Sequence, residues 1–109
     1  MKLLVLLLLF VLATLSDARG NISIGDNFGA KLIYHETRHK IGIPLMRRDE
    51  KVTVKGVGSE RIKSILVQDL KGDGESYIMS GGVGHSSVTI KLKGPKGKGY
   101  KFLIDVYAI

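Results

Sequence analysis

The pattern of apolar and polar positions is clearest in the last quarter of the chain, where two segments alternate residue by residue. In residues 88–93 and 100–106 the alternating apolar side chains are Val88, Ile90, Leu92, Phe102, Ile104 and Val106. Alternation with a period of two is typical of half-buried β-strands. Residues 94–99 between them contain three glycines and no large apolar side chain. They are therefore predicted to connect the two strands as a hairpin.

The hairpin register follows from placing the apolar residues of both strands on one face. The most compact choice sets Leu92 opposite Phe102 and Lys93 opposite Lys101. Lys96 and Lys98 would lie at the same end, and like charges that face each other across an antiparallel pair repel. We name Lys93, Lys96, Lys98 and Lys101 the lysine tip. An anionic polymer, lipid surface or protein partner would relieve this repulsion, whereas the alternative is a charge cluster that serves only solubility and edge protection.

Shorter segments upstream carry weaker strand patterns. Residues 32–34 fit a short strand or one helical turn, and residues 41–45 fit an edge strand because Pro44 has no N–H to donate. Alternation at 52–54 and a short run at 76–79 predict two more strands. Residues 61–70 fit either helical or strand spacing, and their β-branched content favours a strand. The prediction is one all-β domain of six or seven short antiparallel strands, a sandwich or barrel.

Residues 1–18 have the features of a secretory signal peptide. Met1-Lys2 precedes an apolar run far shorter than the roughly 20 residues that span a bilayer, and small residues follow at Ser16 and Ala18. Cleavage is predicted after Ala18, with Gly20 as the alternative. Residues 19–109 would then form a secreted, extracellular domain without a membrane span.

Composition narrows the function classes. The chain has 109 residues, a formal net charge of +7 and no cysteine, so thiol catalysis, disulfides and cysteine-zinc sites are excluded. Stability must come from the sheet core, from self-association as a homo-oligomer, or from both. Asn21-Ile22-Ser23 is an N-glycosylation acceptor, which is available to the modification in a secreted protein; the alternative is an unmodified, flexible N-terminus.

The string from His35 to His39 spells H-E-x-x-H, the zinc-binding pattern of metalloproteases. That chemistry needs a helix and a third ligand, but Gly42 and Pro44 leave little room for a helix, and Arg38 places a cation beside the metal position. Solvated residues of a loop or strand end are the preferred interpretation.

Other candidate motifs have plain interpretations. The glycines of residues 81–84 lack the Lys-Ser/Thr and the following helix of a phosphate loop and indicate a turn. A calcium site at Asp69, Asp73 and Glu75 is not favoured, because the spacing is not that of an EF-hand and Lys71 lies among them. No catalytic constellation, metal site or cofactor motif is predicted, and the chain is interpreted as non-enzymatic. Sequence-specific nucleic-acid binding is not expected, because neither a basic helix nor a pair of stacking aromatics accompanies the charge.

The C-terminal motifs carry a resemblance to a known family. They are Gly81-Gly82-x-Gly84, residues 88–90, Lys96-Gly97-x-Gly99-x-x-Phe102 and Val106-Tyr107, with weaker matches at 65–69 and Tyr77. On these residues the chain resembles the multiprotein-bridging-factor-2 family of arthropods, whose members are often described as salivary secreted peptides. The resemblance covers the last 45 residues best. Ser87, residues 36–38 and Ala108 depart from the family pattern.

The resemblance implies a small β protein without catalysis and two different functions. One is a secreted protein of haemolymph or saliva that binds a protein or anionic partner, which the signal peptide and the lysine tip favour. The other is a transcriptional coactivator that bridges a nuclear receptor and the general transcription factors. We expect the first, with the coactivator as the alternative.

Overall fold

A computed structural model describes residues 20–109, which form seven β-strands. The strands are β1 (Ile22–Gly25), β2 (Lys31–Lys40), β3 (Asp49–Lys55), β4 (Ile62–Asp69), β5 (Glu75–Gly81), β6 (Ser87–Lys93) and β7 (Tyr100–Ala108). The predicted signal peptide at 1–18 lies outside the described residues. Within residues 20–109 no helix is long and apolar enough to cross a membrane.

The strands form two antiparallel sheets. One has four strands in the order β1-β4-β7-β2, and the other has three in the order β3-β6-β5. A single cluster of buried side chains from both sheets makes the core between them. The prediction of an all-β sandwich-like domain is confirmed.

Each sheet has a central strand whose inward face is fully buried. β6 lies between β3 and β5, and β7 lies between β4 and β2. The six alternating apolar residues of these strands are all inaccessible to solvent: Val88, Ile90, Leu92, Phe102, Ile104 and Val106. The alternation therefore identified the inward face of both strands.

The predicted hairpin between these strands is wrong, because β6 and β7 belong to different sheets. Leu92 is paired with Glu50 on β3 and Ser76 on β5, whereas Phe102 is paired with Arg38 and Asp69. Residues 94–99 cross from one sheet to the other, so the two apolar faces meet across the core instead of side by side. Alternation is the same in both arrangements, since it records only which face is buried.

Several upstream predictions are also settled. The segment 61–70 is a strand, as preferred, and residues 32–34 belong to the longer strand β2. The expected edge strand at 41–45 is wrong, since residues 41–48 form a loop with a turn at Pro44. Strand β1 was not anticipated; it pairs with β4, so the described N-terminal residues are held in a sheet.

Polar contacts close the two long edges of the sandwich. The Tyr100 hydroxyl, which comes from β7, donates to Glu50 on β3. On the other side, the Ser76 hydroxyl on β5 donates to the carbonyl of Gly20 at 3.1 Å. The first bond joins the two sheets directly, and the second ties β5 to the segment that leads into β1 of the other sheet.

Candidate functional site

The structure divides the lysine tip between the two sheets. Lys93 ends β6 in the three-stranded sheet, Lys101 follows the first residue of β7 in the four-stranded sheet, and Lys96 and Lys98 lie in the connecting loop. The four residues share one end of the sandwich, but they are not cross-strand neighbours. The predicted repulsion between Lys93 and Lys101 is therefore not a feature of the fold.

Lys93 has acidic residues and an aromatic ring beside it in its sheet. Its cross-strand partners are Asp49 on β3 and Glu75 on β5, and its ammonium group lies 5.6 Å from the centre of the Tyr77 ring. An ammonium over an aromatic face is attracted by the ring quadrupole. Lys91, one pair further along β6, lies 3.5 Å from the Asp49 carboxylate. Lys93 is consequently the least available member of the lysine tip.

Lys96 and Lys98 are the exposed pair. The loop that carries them turns at Gly97, whose φ is +79°, and Lys98 donates its N–H to the Pro95 carbonyl at 3.1 Å. Lys101 is also exposed, with His39 as its cross-strand partner. These three side chains retain the cationic character that the sequence predicts for this end.

A second loop, residues 41–48, lies directly against the lysine loop. The N–H of Gly97 donates to the Met46 carbonyl at 2.8 Å, and the N–H of Gly94 donates to the Arg48 carbonyl at 3.0 Å. The loop carries four exposed apolar side chains: Ile41, Ile43, Leu45 and Met46. Sequence reasoning missed this element because it interpreted the alternation at 41–45 as an edge strand. The run of apolar residues around Pro44 was the available signal.

A cationic cleft of about 550 Å³ opens beside this loop, between the edges of β2 and β3. It is lined by Thr37, Arg38, His39, Lys40, Ile41, Arg48 and Glu50. Glu50 organises the cleft, because Arg38 lies 3.6 Å and Lys40 lies 3.9 Å from its carboxylate oxygens. Arg48 instead donates to the Ile41 carbonyl at 2.9 Å. The cleft adds positive charge to the same end of the molecule.

Two tyrosines near the edges of β2 and β3 are neutral and donate hydrogen bonds. Burial, followed by the neighbouring Glu50 carboxylate, raises the pKa of Tyr100 above its ordinary value. Burial also raises the pKa of Tyr34, whose hydroxyl donates to Glu36 at 3.0 Å and accepts from Arg38 at 3.2 Å. Both phenols therefore stay neutral, and they hold the carboxylates and Arg38 in place.

The H-E-x-x-H string lies on strand β2 and not on a helix. Successive side chains of a strand point to opposite faces, so Glu36 lies on the face opposite the two histidines, and four residues of strand separate His35 from His39 by about 13 Å. The ring of His35 contacts the carboxylate of Asp105, its cross-strand neighbour. In residues 20–109 no three histidine, aspartate or glutamate side chains are grouped to hold a metal ion.

The remaining motifs have structural roles. The Asp69 carboxylate accepts from the N–H groups of Gly72 at 2.9 Å and Gly74 at 2.7 Å, which closes the turn between β4 and β5. The glycine-rich segment 81–84 ends β5 and begins the turn to β6, as predicted. Asn21 is exposed and its amide oxygen accepts from the Asp69 N–H at 2.8 Å; its glycosylation stays a prediction.

The fold and the site together define a small antiparallel β-sandwich with one cationic, partly apolar end. Comparison with known families adds a match over nearly the whole sandwich: the family described as "Transcription activator MBF2" matches residues 24–108. The chain therefore belongs to the MBF2 family, which confirms the resemblance seen in the sequence. Searches of curated proteins and of solved structures found no significant match.

Proposed function

We propose that this protein works by binding other molecules, and that its function is the transcription activation named in the family description. The observation that carries this proposal is the match over residues 24–108. The family is described as an activator and not as an enzyme, which favours a role in bringing partners together. A two-sheet sandwich suits that role, since its edges, faces and loop ends present separate surfaces on one rigid core.

A second candidate is a secreted protein of the haemolymph or salivary type, which binds an anionic or protein partner through the lysine tip. Residues 1–18 favour it, because a positive start, a short apolar run and small residues near Ala18 are typical of a cleaved leader. The clustering of exposed Lys96, Lys98 and Lys101 at one end of the sandwich supports the binding surface.

Imaging of a C-terminally tagged protein separates the two functions. Transcription activation predicts an uncleaved protein in the nucleus, whereas secretion predicts signal in the medium and a protein shortened by residues 1–18. A matched control replaces Leu6 and Leu8 with aspartate, which should stop export through the leader. Tagged protein in the medium, lost in this control, would reject transcription activation as the function of this chain.

The anionic partner of the lysine tip has its own test on a heparin column. We expect the double variant Lys96→Glu, Lys98→Glu to elute at much lower salt than the wild type, because it changes the charge of the exposed end by −4. The matched control Lys55→Glu, Arg61→Glu makes the same change at exposed positions on the opposite end. If both pairs shift elution equally, only net charge matters and the lysine tip is not the binding surface.

A further inference from the structure

Exposed apolar side chains are concentrated in the loop 41–48. Ile41 is 75% exposed, Leu45 is 82% exposed and Met46 is 54% exposed. The loop contains two arginines and no acidic residue. These aliphatic side chains are exposed on the outside of the fold, and Ile41 also lines the cationic cleft.

Leu45 has a backbone conformation that is unfavourable for a residue with a side chain. Pro44 and Leu45 are the central residues of a turn in which the Met46 N–H donates to the Ile43 carbonyl at 3.1 Å. The φ of Leu45 is +66°, the value that a type II turn requires at this position and that glycine adopts most easily. A leucine here strains the backbone, and its exposed side chain adds nothing to the core.

The same turn is held beside the exposed lysines. A Cβ on Gly42 would lie 2.7 Å from the Gly97 carbonyl oxygen and 2.8 Å from the Lys98 Cα, so the two loops are in close backbone contact. Two acids at this end are engaged with other cations: Asp49 lies 3.5 Å from Lys91, and Glu50 lies 3.6 Å from Arg38. Lys96 and Lys98 are exposed to solvent, on a loop in contact with the one that carries the exposed aliphatic side chains.

We propose that this end of the sandwich binds the surface of an anionic lipid bilayer. Leu45, with Ile41 and Met46, enters the boundary between headgroups and acyl chains, while Lys96 and Lys98 lie among the anionic headgroups. Peripheral membrane binding requires this combination of apolar burial and positive charge. The inference rests on the proposed lysine-tip function and names its partner.

The opposite end of the molecule also has exposed apolar side chains and cations, but it has acidic residues among them. Phe28 and Val57 are also highly exposed there, but acidic residues accompany them: Asp26 lies 3.7 Å from Lys63, and Glu60 contacts Lys31. Val57 therefore supplies a matched control for the loss of an exposed aliphatic side chain.

The test is sedimentation with vesicles of phosphatidylcholine, with or without 30 mol% phosphatidylserine, using the protein as purified from expressing cells. The wild type should partition onto the anionic vesicles and much less onto the neutral ones. Leu45→Gly should lower the partition coefficient about tenfold, since burial of a leucine contributes at least that factor. Val57→Ser should leave it unchanged. Equal binding of Leu45→Gly and wild type, or equal binding to both vesicle types, would overturn the proposal.

Unfolding of Leu45→Gly would not explain a loss of vesicle binding, because glycine relieves the strained φ at position 45. Leu45→Gly should melt at or above the wild-type temperature. It should also keep its heparin retention, whereas Lys96→Glu, Lys98→Glu should lose both heparin and vesicle binding. If Lys96→Glu, Lys98→Glu keeps both heparin and vesicle binding, the lysine tip itself is rejected. If that double variant loses binding but Leu45→Gly binds vesicles as the wild type does, only the lipid surface is rejected.

Discussion

Replacement of Phe102 by alanine should destabilise the protein by about 3–5 kcal/mol, the cost of emptying a large aromatic site in a packed core. The ring is inaccessible to solvent and packs on Tyr100, with 5.5 Å between ring centres. It also lies on the backbone of Gly74, where a Cβ would be only 2.8 Å from the ring carbon Cζ. The loss approaches the whole stability of a small domain, so equilibrium urea unfolding should show a much lower midpoint.

Phe28→Ala is the matched control for this change. Phe28 is 84% exposed, and the same truncation at the surface should change the free energy of unfolding by no more than about 0.5 kcal/mol. A cost at Phe102 as small as that at Phe28 would mean that the two sheets do not enclose the core described for them.

Replacement of Gly99 by alanine should be comparably destabilising for a different reason. A Cβ at position 99 would lie 1.7 Å from the Lys40 carbonyl oxygen and 2.8 Å from the Gly42 nitrogen. These are backbone atoms, so the clash is relieved only if the end of β2 moves away from the start of β7. We expect a loss of about 3 kcal/mol or more, at the large end of single-substitution effects, together with faster proteolysis in the loop 41–48.

Gly58→Ala separates this steric effect from the general cost of replacing a glycine. Nothing lies within 4 Å of a Cβ at Gly58, whose φ is +63°, so alanine should cost only about 1 kcal/mol through backbone conformation. Chemical denaturation of both variants compares the two. Equal costs would contradict the close approach of residues 40–42 to Gly99.

These predictions depend on contacts that local patterns described only in part. Alternation showed correctly that Leu92 and Phe102 are buried, and it predicted their strands within one or two residues. It did not show what each strand pairs with, because a hairpin and a connection between two sheets bury the same side chains. Lys93 illustrates the consequence: the predicted partner was Lys101, and the partners in the structure are Asp49 and Glu75.

The candidate site was predicted less completely than the fold. The lysines were visible as a charge cluster, and their shared location at one end of the sandwich follows from the fold. The contact between Gly97 and Met46 joins segments about fifty residues apart in sequence. No local period records such a contact, so residues 41–45 of this exposed loop were taken for an edge strand.

The sequence by itself determined the fold class, the inward faces of the central strands and the positive charge of the C-terminal lysines. Those properties depend on neighbouring residues, since a strand's period and a residue's charge are local. Only the tertiary structure decided which strands share a sheet, which lysines have acidic residues as cross-strand neighbours and which loop lies beside Lys96 and Lys98. Pairing between distant segments depends on the free energy of the whole packed arrangement, in which many side chains are buried together.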